Sequence, residues 1–399
     1  MLRMKKGLAA LAAACFLFVG TGKAQAVIGI PDNVPGESLL FPFFKINPNR
    51  TAANSQDTLL VITNTGNVGS LGAVGGDVIV HVSIWNVRSE HVYDFNITLT
   101  PHDVFSCSMY DILKDPLGCA TEGVAQAPAI ASTRLQATLN GETILAGYVT
   151  ADVVTSNTAL LPDNPVYPFG AHNILIGHEY IVDLPNGSAT GLNAVSIEDT
   201  AVAAGDPLSG FGHPTFDIGG NLLGVPQITR GFYSDNDTLE RFSGNNGDIL
   251  QTLTPNASEL DMIVRYFTAS AVHAKTEIWL WKECNSSDDL DLELDGDTTE
   301  CPNSGTLNVA VYDEDENVHS ITFNFPDEVN FVDVAPFITP GVPGGWFRLP
   351  VDPEVSSVAY SLQEANTQDA TLRWDAVFPA HRQYTNYLDT NGNGTRDEE

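Results

Sequence analysis

The residues with the most regular chemical spacing stand at Asp389-Thr390-Asn391-Gly392-Asn393-Gly394-Thr395-Arg396-Asp397. Side-chain oxygens at the first, third, fifth and ninth positions of such a run converge on a hard cation. Glycine at the sixth position permits the sharp turn, and the seventh residue offers its backbone carbonyl. The spacing therefore points to calcium, with Asp389, Asn391, Asn393, Thr395 and Asp397 as ligands. The bidentate glutamate of the twelfth position would fall at residue 400, so Glu398 or Glu399 is expected to stand in with altered geometry. The alternative reading is a solvated, Asn-Gly-rich tail.

Other candidate chemistry is less ordered. The acidic run from Asp288 to Asp297 has no regular ligand spacing and reads as a solvated loop. His172 and His178-Glu179 come nearest to a metal cluster, but six residues of strand separate the two histidines by about 20 Å. There is no H-E-x-x-H, no G-x-S-x-G elbow and no phosphate-cradling G-x-x-x-x-G-K. Trp279 and Trp281 share one strand face, which makes them candidates for stacking on a sugar; core packing is the competing use of such side chains. With 50 acidic residues, paired carboxylates identify no glycosidase site.

Charge and the first residues set the compartment. Arg3, Lys5 and Lys6 precede an apolar run from Leu8 to Val19, and Ala24-Gln25-Ala26 supplies a small-x-small step. This is the pattern of a bacterial secretory signal over residues 1–26, with cleavage expected after Ala26. The chain carries a net charge of −32, and cleavage would remove four basic residues in all (Arg3, Lys5, Lys6 and Lys23) and no acidic one. Such a surface excludes nucleic-acid binding and favours cations or basic partners. No later stretch is apolar and long enough to span a bilayer as a helix. The predicted location is secreted, periplasmic or cell-surface, with an unknown protein or glycan as partner. Leaving out Cys15 in the signal, four cysteines remain, and their spacing favours local disulfides 107–119 and 284–301.

These side chains must be held by β-structure. The stretch Asp77–Thr100 alternates apolar and polar residues over two runs joined by the polar turn Asn86–Glu90. Its first run has Ile79 and Trp85 opposite its valines, so a strand covered on both faces is expected. Asn140-Gly141 marks a two-residue hairpin turn. Asp103 is positioned to cap a short helix within Pro101–Leu113. Between Gly205 and Gly231 seven glycines and three prolines oppose regular structure.

The order of strands then repeats. Tyr266-Phe267, Thr276–Trp281, Leu307–Tyr312 and Ser320–Phe325 echo Phe43-Phe44, Thr58–Thr63, Val80–Trp85 and Asp94–Leu99. The predicted fold is all-β: two related antiparallel β-sandwich domains, immunoglobulin-like or jelly-roll, at 27–199 and 260–380. A Gly/Pro-rich insertion or linker (200–259) separates them, and an acidic tail (381–399) follows.

In style the chain resembles exported bacterial β-sandwich proteins of the immunoglobulin-like kind, including the string NVRSEHVYDFNITLT at Asn86–Thr100. Over about ten residues the tail resembles the EF-hand-type calcium loops of dockerins and bacterial surface β-repeat domains. The first resemblance implies architecture and compartment, and no activity. The expected function is a non-enzymatic structural or adhesive protein, with calcium as a stabilising ion. The alternatives are a glycan-binding module using exposed aromatics and an extracellular hydrolase with a site formed by residues 205–231.

Overall fold

The computed structural model describes residues 35–49, 56–88, 90–115, 117–139, 141–161, 167–168, 170, 172–183, 188–197, 260–282, 306–324, 327, 329–351, 357–366 and 373–384. The signal segment, the 200–259 segment, the Cys284 and Cys301 pairing and the calcium-loop run lie outside the described residues.

The described chain is built of antiparallel strands with two short helices. The first sandwich contains β1 (Ser38–Ile46), β2 (Gln56–Asn64), β3 (Val78–Asn86), β4 (His91–Leu99) and β5 (Val104–Ser108). Helices α1 (Met109–Leu113) and α2 (Ala129–Arg134) follow, then β6 (Gln136–Leu139), β7 (Glu142–Val154), β8 (Leu175–Asp183), β9 (Ser188–Asn193) and β10 (Val195–Ile197). Sheet I has the order β5-β2-β8-β9; sheet II has the order β10-β1-β7-β3-β4, with β6 also on β7.

The second sandwich contains β11 (Leu260–Phe267), β12 (Lys275–Lys282), β13 (Thr306–Asp313), β14 (Val318–Asn324) and β15 (Val329–Asp333). It continues with β16 (Gly344–Val351), β17 (Ser357–Asn366), β18 (Arg373–Pro379) and β19 (His381–Tyr384). Sheet III has the order β15-β12-β17-β18 and sheet IV the order β14-β13-β16-β11-β19. The second sandwich thus runs past residue 380, to Tyr384.

The two orders superimpose strand for strand. Reading β11 to β19 against β1, β2, β3, β4, β5, β7, β8, β9 and β10 reproduces every pairing; only β6 and the helices are additions. The match reaches single residues. Thr58 Oγ1 accepts from Lys45 N–H at 3.0 Å and donates to Lys45 O at 3.0 Å. Thr276 does the same with Phe267, at 2.9 and 2.8 Å. Asn86 accepts from the amides of Arg88 and Glu90 to shape the β3–β4 turn, and Asp313 accepts from Asp315 and Asn317 to shape the β13–β14 turn. Gly147 stands between Phe44 and Asn86, and Gly345 between Tyr266 and Asp313. A Cβ at either glycine would overlap the carbonyl oxygen of Trp85 or Tyr312. These pairings refine the expected echo: Phe44-Lys45, one residue later than Phe43-Phe44, corresponds to Tyr266-Phe267.

Strand β1 is buried along its whole length. Its register on β7 shifts between Phe41 and Phe44, a β-bulge that accommodates Pro42, which has no amide to give to the ladder. The extra residue resets the alternation, so Leu39, Phe41, Phe44 and Ile46 enter one core while Leu40 and Phe43 enter another. Three apolar cores result: one between sheets I and II, one between II and III, one between III and IV. Four sheets therefore stack in the order I, II, III, IV, and β3 is covered on both faces as its sequence implies.

Three local expectations are corrected. Asp103 caps no helix: it accepts from Thr100 and Val104 in the turn before β5, and Ser108 caps α1, accepting from Asp111 N–H at 3.0 Å. The run Leu192–Glu198, whose sequence alone reads as one strand, is divided: the chain passes from sheet I to sheet II at Ala194. Trp279 and Trp281 are not exposed. Cys107 and Cys119 form the expected disulfide, with Cα atoms 6.1 Å apart, closing the chain around α1.

Candidate functional site

The outer face of sheet III presses on the outer face of sheet II, and the two tryptophans proposed for sugar stacking lie in that contact. Trp279 is 1% exposed and stacks on Phe43 at 4.6 Å. Trp281 is 2% exposed and meets Tyr148 edge-on at 6.2 Å. Apolar burial explains the outcome: a face carrying two indoles gains more from covering another greasy sheet than from water. Lys45 Nζ reaches both carboxylate oxygens of Glu277 at 2.9 Å inside this contact. Polar contacts flank it: Val329 N–H donates to Val87 O at 3.0 Å, and β18 of sheet III also meets the edge strand β9 of sheet I, where Val377 N–H donates to Thr190 Oγ1 at 3.1 Å.

The same outer face of sheet II that carries Leu40, Tyr148 and Trp85 also holds a buried polar row, covered by Tyr167. Ser38, Asp152, His81 and Asn96 are cross-strand neighbours on β1, β7, β3 and β4. Ser38 Oγ donates to Asp152 Oδ1 at 2.5 Å and Tyr167 Oη donates to Oδ2 at 3.1 Å. Burial pushes the Asp152 carboxyl up to about 6 against the pull of those two donors. Burial, and then the Asp152 charge, pushes Tyr167 well up, and burial lowers His81. The residue types invite a comparison with a catalytic triad, but the order is wrong. The serine is bound to the carboxylate directly, His81 Nδ1 faces Asn96 at 3.3 Å, and all three are sealed from solvent. No such row was legible in the sequence, because its members lie up to 114 positions apart.

His178 and Glu179 point to opposite faces of β8. His178 Nδ1 contacts Asn193 at 2.9 Å on the outer face, while Glu179 is fully buried with neither carboxylate oxygen hydrogen-bonded among the described residues. Burial pushes Glu179 well above the ordinary carboxylate range. No three His, Cys, Asp or Glu side chains among the described residues group as metal ligands.

Among the described residues, two sheet faces remain accessible. On sheet IV, Arg265, Trp346, Tyr312 and Val318 form one row across β11, β16, β13 and β14. Tyr312 and Trp346 stack at 3.8 Å with planes 8° apart and stay half-buried; Arg265 and Val318 are exposed. This is the counterpart of the stacked Trp85–Tyr148 pair that sheet III covers, 6.1 Å between centroids and 13° between planes. On sheet I, Leu59, Val61 and Ile176 lie half-buried on the outer face beside Tyr180, 39% exposed, and Val104, 49% exposed. Apolar residues gathered on an outer sheet face mark a contact surface.

No protein-family model matches the chain, and no curated protein does. Among solved structures the chain is similar to protein 1070 of Thermotoga maritima, at 9% identity over 41% of this chain and 97% of that one, TM-score 0.22. It is similar to the α-L-rhamnosidase of Streptomyces avermitilis in complex with L-rhamnose, at 9% identity over 90% of this chain and 27% of that one, TM-score 0.19. The lectin of Pleurotus ostreatus follows, at 6% identity over 88% of this chain and 85% of that one, TM-score 0.14. Scores this low carry no argument, so the candidate site rests on the chain's own geometry: two open sheet faces at the ends of a four-sheet stack.

Proposed function

We propose that this chain is an exported, non-enzymatic structural or adhesive protein whose two duplicated sandwiches act as one rigid block and make contact through sheet faces. The observation that carries the reading is the use of the largest aromatic side chains. Phe43, Tyr148, Trp279 and Trp281 bind sandwich to sandwich instead of lining a cavity. The 1–26 segment supports export, and the run Asp389–Asp397 supports calcium as a stabilising ion. Expression in a Gram-negative host followed by fractionation tests the location: the expected product starts at Val27 and lies outside the cytoplasm. Unprocessed protein in the cytosol would overturn the reading. Calorimetric titration with calcium, with and without residues 389–399, tests the ion; identical traces would remove it.

The half-buried Tyr312–Trp346 pair keeps glycan binding as a second reading, moved from Trp279 and Trp281 to sheet IV. Its face-to-face stack leaves one outward side per ring, which suits an edge contact with a sugar better than a flat platform. A glycan array probed with the native protein and with Trp346→Ala decides it, through signals that the variant loses.

A further inference from the structure

We infer that copies of this protein stack head to tail, the outer face of sheet IV of one copy docking on the outer face of sheet I of the next. This deepens the structural reading above and rests on it. The inference comes from the duplication. Sheet IV is the counterpart of sheet II, strand for strand, and sheet I is the counterpart of sheet III. The chain therefore already contains one instance of the contact, II on III, and carries at its two ends the unused halves of a second, IV on I.

The residues at the matched positions fit that repetition. The threonine clasps equate Lys45 with Phe267, and they equate the residue after each threonine, Leu59 with Glu277. Within the chain the pair is Lys45 and Glu277, an ion pair with both side chains largely buried. Between copies the same positions would bring Phe267 against Leu59, an apolar pair. Both members of the pair change together, so neither open face is left with half of a charge pair to bury. The stacked aromatics at the centre are kept, Tyr312–Trp346 in the place of Trp85–Tyr148. Opposite them Thr63 and Val61 replace Trp281 and Trp279, so less apolar area is covered and the contact is reversible where the internal one is permanent. A contact of two different faces is heterologous and adds copies in a row.

Sedimentation velocity of the purified exported protein over a concentration series tests this. Salt of about 0.15 M screens charges beyond about 8 Å, which matters for copies this acidic. The expected result is a sedimentation coefficient that rises with concentration through dimers to longer species. Val61→Glu and Trp346→Glu are each expected to abolish every species larger than monomer. Their equimolar mixture is expected to recover a dimer and nothing longer, because each variant keeps the face that the other lacks. Wild-type protein that is monomeric throughout, a mixture that stays monomeric, or dimers of either single variant would each overturn the proposal. Arg265→Glu, at an exposed position of the same row, replaces Trp346→Glu if the latter loses its native near-ultraviolet circular dichroism. Fractionation reads the structural assignment separately, so the failure of stacking is distinguishable from the failure of export.

Discussion

At the scale of residues, two buried groups make measurable claims. Lys45→Phe alone strands the Glu277 carboxylate inside the contact between sheets II and III and should cost about 3–5 kcal/mol. The pair Lys45→Phe with Glu277→Leu copies what the duplicate positions carry, and should restore stability to within about 1 kcal/mol of the parent or exceed it. Urea denaturation of the three proteins checks the coupling. Asp152 sets a pH dependence of the opposite sign to that of a salt-bridged carboxylate. Its folded value of about 6 exceeds the ordinary 3.8, so the folded chain holds the proton more tightly. The penalty is absent below about pH 4, grows as pH rises to about 6 and is constant above, reaching about 3 kcal/mol. His81, lowered by burial, acts the other way over part of that range, losing stability as pH falls below its ordinary 6.5. The wild-type curve mixes the two. The difference between wild type and Asp152→Asn isolates the carboxyl, and should shift by about 3 kcal/mol between pH 4 and pH 7 in the variant's favour.

At the scale of elements, the duplicated glycines decide how closely neighbouring strands approach. Gly147 and Gly345 are required for space at the crowded side of a cross-strand aromatic pair, not for a left-handed backbone. Gly147→Ala and Gly345→Ala should each destabilise by about 3 kcal/mol through overpacking against backbone, which cannot swing aside as a side chain can. Thermal unfolding checks both, and equal penalties at the two sites would mirror their equivalent geometry. The turn Asn86–Glu90 works without glycine because the Asn86 side chain accepts from two amides of the loop, and Asp313 repeats the device. Hydrogen bonds from Asn317 and from nearby backbone amides hold the Asp313 carboxyl below its ordinary value.

At the scale of the molecule, the two sandwiches are joined by an apolar core of their own, built around Phe43, Tyr148, Trp279 and Trp281. Trp279→Ala removes an indole packed between Phe43 and Phe331 and should cost about 3–5 kcal/mol. Calorimetry of the Trp279→Ala, Trp281→Ala double variant should resolve two transitions where the parent shows one, because the contact that couples the sandwiches is lost. The same logic governs the free ends of the stack. A face whose counterpart is covered inside the chain is expected to find a cover outside it, and the solubility of so acidic a protein keeps that association reversible.

The strand pattern, the alternation of β3 and β4, the hairpin pairing of β6 with β7 and the order of the repeat were legible along the chain, because neighbours in a strand alternate faces wherever the strand goes. The Cys107–Cys119 bridge was legible for the related reason that a short loop brings its ends together. What only the tertiary structure decided was the use of each face. Trp279 and Trp281 alternate with core residues whether their side of the strand meets sugar, solvent or a second sheet, so period two could not separate these outcomes. Sheets II and III meet through residues more than 200 positions apart, as Lys45 and Glu277 do. Ser38, Asp152 and His81 converge for the same reason, because cross-strand register is set by the whole sheet and leaves no trace in local spacing. The sequence alone determined that the chain would make two sandwiches; the packing of one on the other determined which faces were spent and which were left.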